Sequence, residues 1–98
     1  MKVTHHTARL NEINQHWVCA GDGPPVYLLH GFPETWFAWR KQIPVLAEQY
    51  TVIAPDLRGY GDTEKPASGY DKRTMANDLA ALMDHLGHKR AAISGLHM

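Results

Sequence analysis

Three short, mostly apolar runs alternate with two helical stretches, and that alternation limits the folds open to the chain. Val26-Tyr27-Leu28-Leu29, Thr51-Val52-Ile53-Ala54 and Ala91-Ala92-Ile93-Ser94 are the runs. Runs this short, bounded by Gly, Pro and polar residues, read as strands of a parallel sheet, the first two buried. Between the first two lies a helical stretch from about Phe37 to Gln49, with Trp39, Ile43, Leu46 and Ala47 on one face. Pro44 within it predicts a helix that starts there or kinks, because proline has no N–H to give the preceding turn. Between the last two, Asp71 to Leu86 is the clearest helix. Met75, Leu79, Leu82, Met83 and Leu86 recur at helical spacing, Asp71 is placed to cap the start, and Gly87 to stop the end. The resulting β-α-β-α-β order predicts a parallel sheet with right-handed crossovers.

The segment before residue 21 follows a different pattern. Val3, Ala8, Leu10, Ile13, Trp17 and Val18 are scattered among polar residues, with no Gly or Pro between 2 and 19. Asn11-Glu12 is placed to turn a hairpin of two antiparallel strands. Gly21-Asp22-Gly23-Pro24-Pro25 then breaks the chain. Pro55 to Ser68 is a long loop holding Gly59, Gly61 and Pro66, and long loops in compact domains tend to carry function. Ligand sites in parallel sheets lie beyond the carboxyl ends of the strands. Here those ends are His30-Gly31-Phe32-Pro33, Asp56-Leu57-Arg58-Gly59 and Gly95-Leu96-His97-Met98, so the three unusual segments point to one edge.

Composition excludes several classes. Ten Lys and Arg balance ten Asp and Glu across 98 residues, and a neutral chain without a basic block lacks the electrostatic footprint of a nucleic-acid binder. No run approaches the ~20 apolar residues of a membrane span, and Met1-Lys2-Val3-Thr4-His5-His6 has no apolar secretory core. The single cysteine, Cys19, rules out an intrachain disulfide framework and a Cys-rich zinc site. A cytoplasmic location is the default for such a chain.

His30-Gly31-Phe32-Pro33-Glu34-Thr35-Trp36 is the sharpest local signal. A glycine directly after a strand lets the backbone approach a ligand closely. The Phe32 N–H that follows is then placed to donate to a developing oxyanion. A tight strand-to-helix turn with buried aromatics explains the same residues without chemistry.

This segment, followed by Trp39-Arg40, resembles the HGFPE-[ST]-W…WR segment of epoxide hydrolases, members of the α/β-hydrolase superfamily beside the haloalkane and fluoroacetate dehalogenases. Asp56-Leu57-Arg58-Gly59-Tyr60-Gly61-Asp62-Thr63 is similar to the same family's DLRGYG-x-[ST] loop, and Lys65-Pro66 also follows as the family has it. The resemblance covers about Val26 to Gly95. It implies an α/β fold: the N-terminal part of an α/β-hydrolase, a β-hairpin followed by βαβαβ in a mostly parallel sheet, with strand order 1-2-4-3-5. It also implies roles by position. Phe32 supplies a backbone donor of the oxyanion hole. His30, Gly31 and Pro33 shape that loop. Glu34 and Trp36 lie at the substrate cavity. Asp56 and Arg58, with Gly59 and Gly61, brace the loops as structural ion-paired elements. The parent reaction is attack by an Asp on an epoxide or related electrophilic carbon, then hydrolysis of the ester by water. It needs no cofactor and no metal.

The chain departs from the family at the third apolar strand. There the epoxide-hydrolase branch has G-H-D-x-G with the Asp as nucleophile, and esterases have G-x-S-x-G. This chain reads Ser94-Gly95-Leu96-His97-Met98. His97 falls at the nucleophile position, but an imidazole cannot form the family's ester, and Ser94 precedes the glycine. The expectation is that residues 1–98 are a partial domain, broken off at its fifth strand, without the cap, acid and catalytic His. Such a chain is expected to be inactive alone and to self-associate through the apolar edge strand 91–94. His5, His6, His16, His85 and His88 read as exposed or interfacial side chains rather than a metal site. Gly59-x-Gly61 falls short of a phosphate loop.

Overall fold

The computed structural model describes residues 2–31 and 34–95. Five strands, β1 (Thr4–Leu10), β2 (Ile13–Ala20), β3 (Pro25–Leu29), β4 (Thr51–Pro55) and β5 (Ala92–Gly95), form one sheet in the order β1-β2-β4-β3-β5. β3 pairs in parallel with both β4 and β5, whereas β2 is antiparallel to β1 and β4. Only β2 therefore runs against the others. This is the strand order that the sequence resemblance implies.

Period-two alternation sends successive side chains to opposite faces, and both faces are covered. Val18, Leu28, Val52 and Ala54 pack with Trp39 and Ile43 on one side. Trp17, Tyr27 and Ile53 pack with Leu82 on the other, joined by Leu79, Met83 and Leu86. Coverage on two faces is why the central strands read as continuous apolar runs.

Asn11 and Glu12 form the two-residue turn between β1 and β2, with φ of 51° and 69°. Positive φ at both positions matches the twist of a two-residue hairpin loop, a geometry that Asn tolerates and Glu does not favour. The region 37–49 is not one helix. A single 3₁₀ turn, Trp36–Trp39, is followed by a short helix, α1 (Ile43–Leu46). Pro44 cannot bond back to the carbonyl of residue 40. The chain instead closes i→i+3 bonds, Arg40 N–H to Phe37 O and Gln42 N–H to Trp39 O, before turning into α1. The second helix, α2 (Lys72–Leu86), begins at Asp71, whose carboxylate accepts the Thr74 N–H, and ends at Gly87 with φ of 78°. No helix among the described residues is long and apolar enough to cross a membrane.

Candidate functional site at the carboxyl edge of the sheet

The register places Leu29 beside Gly95 and Leu28 beside Ser94 in parallel. The carboxyl ends of β3 and β5 therefore lie side by side. Phe32, Pro33 and His97, to which the sequence assigns the oxyanion donor, the loop turn and the nucleophile position, lie outside the described residues.

His30 is buried and links two strand ends. Its Nδ1 lies 3.0 Å from Gly31 O, and its Nε2 accepts the Leu57 N–H at 2.9 Å. That pair of bonds requires the proton on Nδ1. The Tyr60 ring meets the imidazole edge-on at 5.3 Å. β3 and β4 are thus joined just beyond their carboxyl ends by a side chain, not only by the backbone ladder.

Asp56 binds more of the edge together. Its Oδ1 accepts the Trp36 N–H at 2.8 Å. Its Oδ2 accepts the Asp62 N–H at 3.0 Å and lies 2.8 Å from His16 Nδ1. One buried carboxylate thereby fixes β2, the start of the 3₁₀ turn and the loop after β4. Charged acceptors make hydrogen bonds about twice as strong as neutral ones, and a full set of partners is what makes burying a carboxylate tolerable. Gly61, at φ of 52°, is required here because a Cβ would fall on the Asp56 carboxylate. Gly59, at φ of 85°, passes so close to Tyr70 that a Cβ would lie 2.6 Å from its ring. Thr63, also buried, accepts the His16 N–H at 2.9 Å and donates to Asp56 O at 2.7 Å.

Asp56 and Arg58 do not pair with each other. Arg58 turns to α2, where Nε and Nη2 donate to the two oxygens of Asp78 at 2.9 and 2.8 Å. Asn11 Nδ2 donates to the same carboxylate at 2.7 Å. Hydrogen bonding to Asp78 raises the Arg58 pKa above its already high value, against the opposing effect of burial. This planar two-point pair ties the loop after β4 to α2 and to the hairpin tip.

Glu34 is exposed, and its N–H donates to Gly31 O at 2.8 Å. Trp36 is half-buried, with its ring edge-on to His5 and to Phe37. Both follow the loop at the carboxyl edge, where the sequence assigns the substrate cavity.

His16 and Asp78 were missed as site-bracing residues. His16 is buried at 3% exposure rather than exposed or interfacial, because strand pairing brings it to Asp56, 40 residues away. Asp78 carried a readable signal: it stands three residues after Met75, on the apolar face of α2, where an uncompensated charge is not tolerated. On the α2 face, burial pushes the Tyr27 hydroxyl up to about 12, with Cys19 adding to it. The phenol stays neutral and bonds His88 Nδ1 at 2.7 Å.

Comparison with known proteins agrees with this architecture. Residues 24–96 match the α/β-hydrolase-fold family, well over half of the chain, and the chain belongs to that family. Over 94 residues it is 55% identical to a soluble epoxide hydrolase of Corynebacterium sp. strain C12, an alignment covering 96% of this chain and 33% of that enzyme. It is 40% identical over 91 residues to a fluoroacetate dehalogenase of Burkholderia sp., covering 88% of this chain and 30% of that protein. Among solved structures, the unliganded epoxide hydrolase CorEH matches with a TM-score of 0.92 at 55% identity, covering 94% of this chain and 32% of that one. The chain spans about a third of the length of these relatives.

Proposed function

We propose that this chain supplies the oxyanion-side scaffold of an epoxide-hydrolysing α/β-hydrolase. The observation that carries the reading is the 55% identity to a soluble epoxide hydrolase across nearly the whole chain, spanning both the 30–36 and the 56–63 motifs. In the parent reaction an Asp carboxylate attacks an epoxide carbon, the ring C–O bond breaks, and the ring oxygen takes up a proton. Water, giving up a proton to the parent's catalytic His, then adds to the ester carbonyl, and the acyl C–O bond breaks to release the diol and restore the Asp carboxylate. The Phe32 N–H donates to the oxyanion formed there, in the manner of preorganised backbone donors. Glu34 and Trp36 face the substrate, and His30, Gly31 and Pro33 hold the loop. Asp56 supports this reading, because its bond to the Trp36 N–H anchors the chain just after the loop.

The 98-residue chain by itself carries Leu96-His97 where the family has its His-Asp pair, and it does not turn over epoxides. In isolation, strand β5 pairs with a second copy. The reading is tested by transplanting residues 24–95 into the Corynebacterium enzyme in place of its own. The chimera is expected to keep epoxide hydrolysis. A folded chimera that binds but does not open epoxides overturns the reading. For the isolated chain, epoxide turnover abolished by His97→Ala contradicts the proposed inactivity. The identity to fluoroacetate dehalogenase favours a second reading, attack on a halogen-bearing carbon. Fluoride release by the same chimera, in place of diol formation, selects it.

A further inference from the structure

We propose that the exposed His5 and the buried His16 together bind a late first-row divalent ion such as Zn²⁺ or Cu²⁺. The two residues sit on neighbouring strands. His16 lies opposite Thr7, and His5, two residues before Thr7, projects to the same face. His5 Nδ1 and His16 Nε2 lie 3.0 Å apart. Their rings are nearly coplanar, tilted by 22° with centroids 5.2 Å apart, so the two nitrogens meet edge to edge. A tetrahedral ion with metal–nitrogen bonds of 2.0–2.1 Å needs its two nitrogens about 3.3 Å apart. With the His16 ring held by Asp56, that geometry requires the exposed His5 ring to swing off the line joining the two nitrogens.

The outer partner is already in place. His16 Nδ1 bonds Asp56 Oδ2 at 2.8 Å, which leaves the lone pair on Nε2, the nitrogen facing His5. A carboxylate behind the ligating imidazole is the common arrangement at metal centres, where it fixes the tautomer and raises ligand basicity. The carboxylate is itself held by the Trp36 and Asp62 N–H groups. His5 has only to move its proton from Nδ1 to Nε2, and water completes the coordination on the exposed side. Imidazole ligands suit Zn²⁺, Cu²⁺ and Ni²⁺ rather than Mg²⁺ or Ca²⁺. His6 is turned away: its Nε2 bonds Thr4 Oγ1 at 2.8 Å and its ring stacks on Trp17.

Calorimetric titration of the full chain with Zn²⁺, and separately with Cu²⁺, tests the site. Saturation at one ion per chain is expected, with no heat from Mg²⁺. The Trp36 ring lies 5.7 Å from His5, so Cu²⁺ is expected to quench tryptophan fluorescence over the same range. Loss of an outer partner alone typically weakens a metal site about 10–100-fold, so His5→Ala, which removes a ligand, is expected to weaken binding at least tenfold. His6→Ala is expected to leave it unchanged. Absence of saturable binding overturns the proposal. Equal binding by the parent chain and His5→Ala, the result an unfolded chain gives, also overturns it, as does a loss confined to His6→Ala.

Discussion

Strands β4 and β5 read almost alike in the sequence, and the structure treats them in opposite ways. Both are short and apolar, and both run parallel to β3. β4 lies between β2 and β3 with helices over both faces, and Val52, Ile53 and Ala54 are at most 1% exposed. β5 pairs with β3 on one side only, every residue from Ala92 to Gly95 is exposed, and Ile93 keeps 52% of its surface in solvent. Composition makes a strand, but neighbours make it a core strand. Side chains reinforce the contrast, since the carboxyl end of β4 is locked by His16, His30, Thr63 and Asp56, while among the described residues β5 is held to β3 by the backbone ladder.

The largest predicted effect is at the Arg58–Asp78 pair. Arg58→Ala leaves a carboxylate that is about nine-tenths buried without its cation, and breaking such pairs costs about 3–5 kcal/mol. Urea denaturation is expected to show that loss, and a change under 1 kcal/mol removes the pair from the list of braces. Leu82→Ala, at a fully buried position of α2, is expected to cost about 2–5 kcal/mol. Ile93→Lys sharpens the comparison from the other side. Its unfolding free energy is expected to change by under about 0.5 kcal/mol, as for exposed sites. Under the proposed pairing of β5 with a second copy, sedimentation is expected to show less association in this variant than in the parent chain, because a lysine blunts an exposed edge. A large stability loss in Ile93→Lys would place β5 in the core after all.

Two smaller effects concern local geometry. Glu12→Gly relieves a non-glycine residue from φ of 69° and is expected to raise stability by roughly 0.5–1 kcal/mol, read as a higher urea midpoint. Asp71 caps α2, and the Thr74 N–H holds its pKa below the ordinary 3.8. Its carboxylate therefore stabilises the folded chain above that value, and the stabilisation disappears as pH falls through the lowered pKa. Asp71→Ala is expected to remove that part of the acid dependence, measured as melting temperature against pH.

Much of the fold was legible because it rests on periodicity. The Asn11-Glu12 turn, the apolar strands, and the Asp71 and Gly87 helix limits are local signals, and each appears within one residue of where the sequence puts it. Residues 37–49 were legible only as far as Pro44, since a 3₁₀ turn and a short α-helix share one apolar face. The site was legible as a set of motifs but not as a set of contacts. Asp56 and Arg58 stand two residues apart, yet one turns to β2 and the other to α2. That divergence depends on strand order, which local pattern does not encode. His16 shows the same limit, as a buried strand residue whose partner is set by long-range pairing.

Asp56 ties the carboxyl edge together through the Trp36 and Asp62 N–H groups, whereas β5 is exposed along its length. Amide hydrogen exchange on the full chain tests that contrast most directly. The Trp36 and Asp62 amides, both donors to Asp56, are expected to exchange far more slowly than Ile93 and Ser94. In Asp56→Ala those two amides are expected to become fast, with Ile93 and Ser94 unchanged. Trp36 and Asp62 amides that exchange as fast as those of β5 in the parent chain contradict the account.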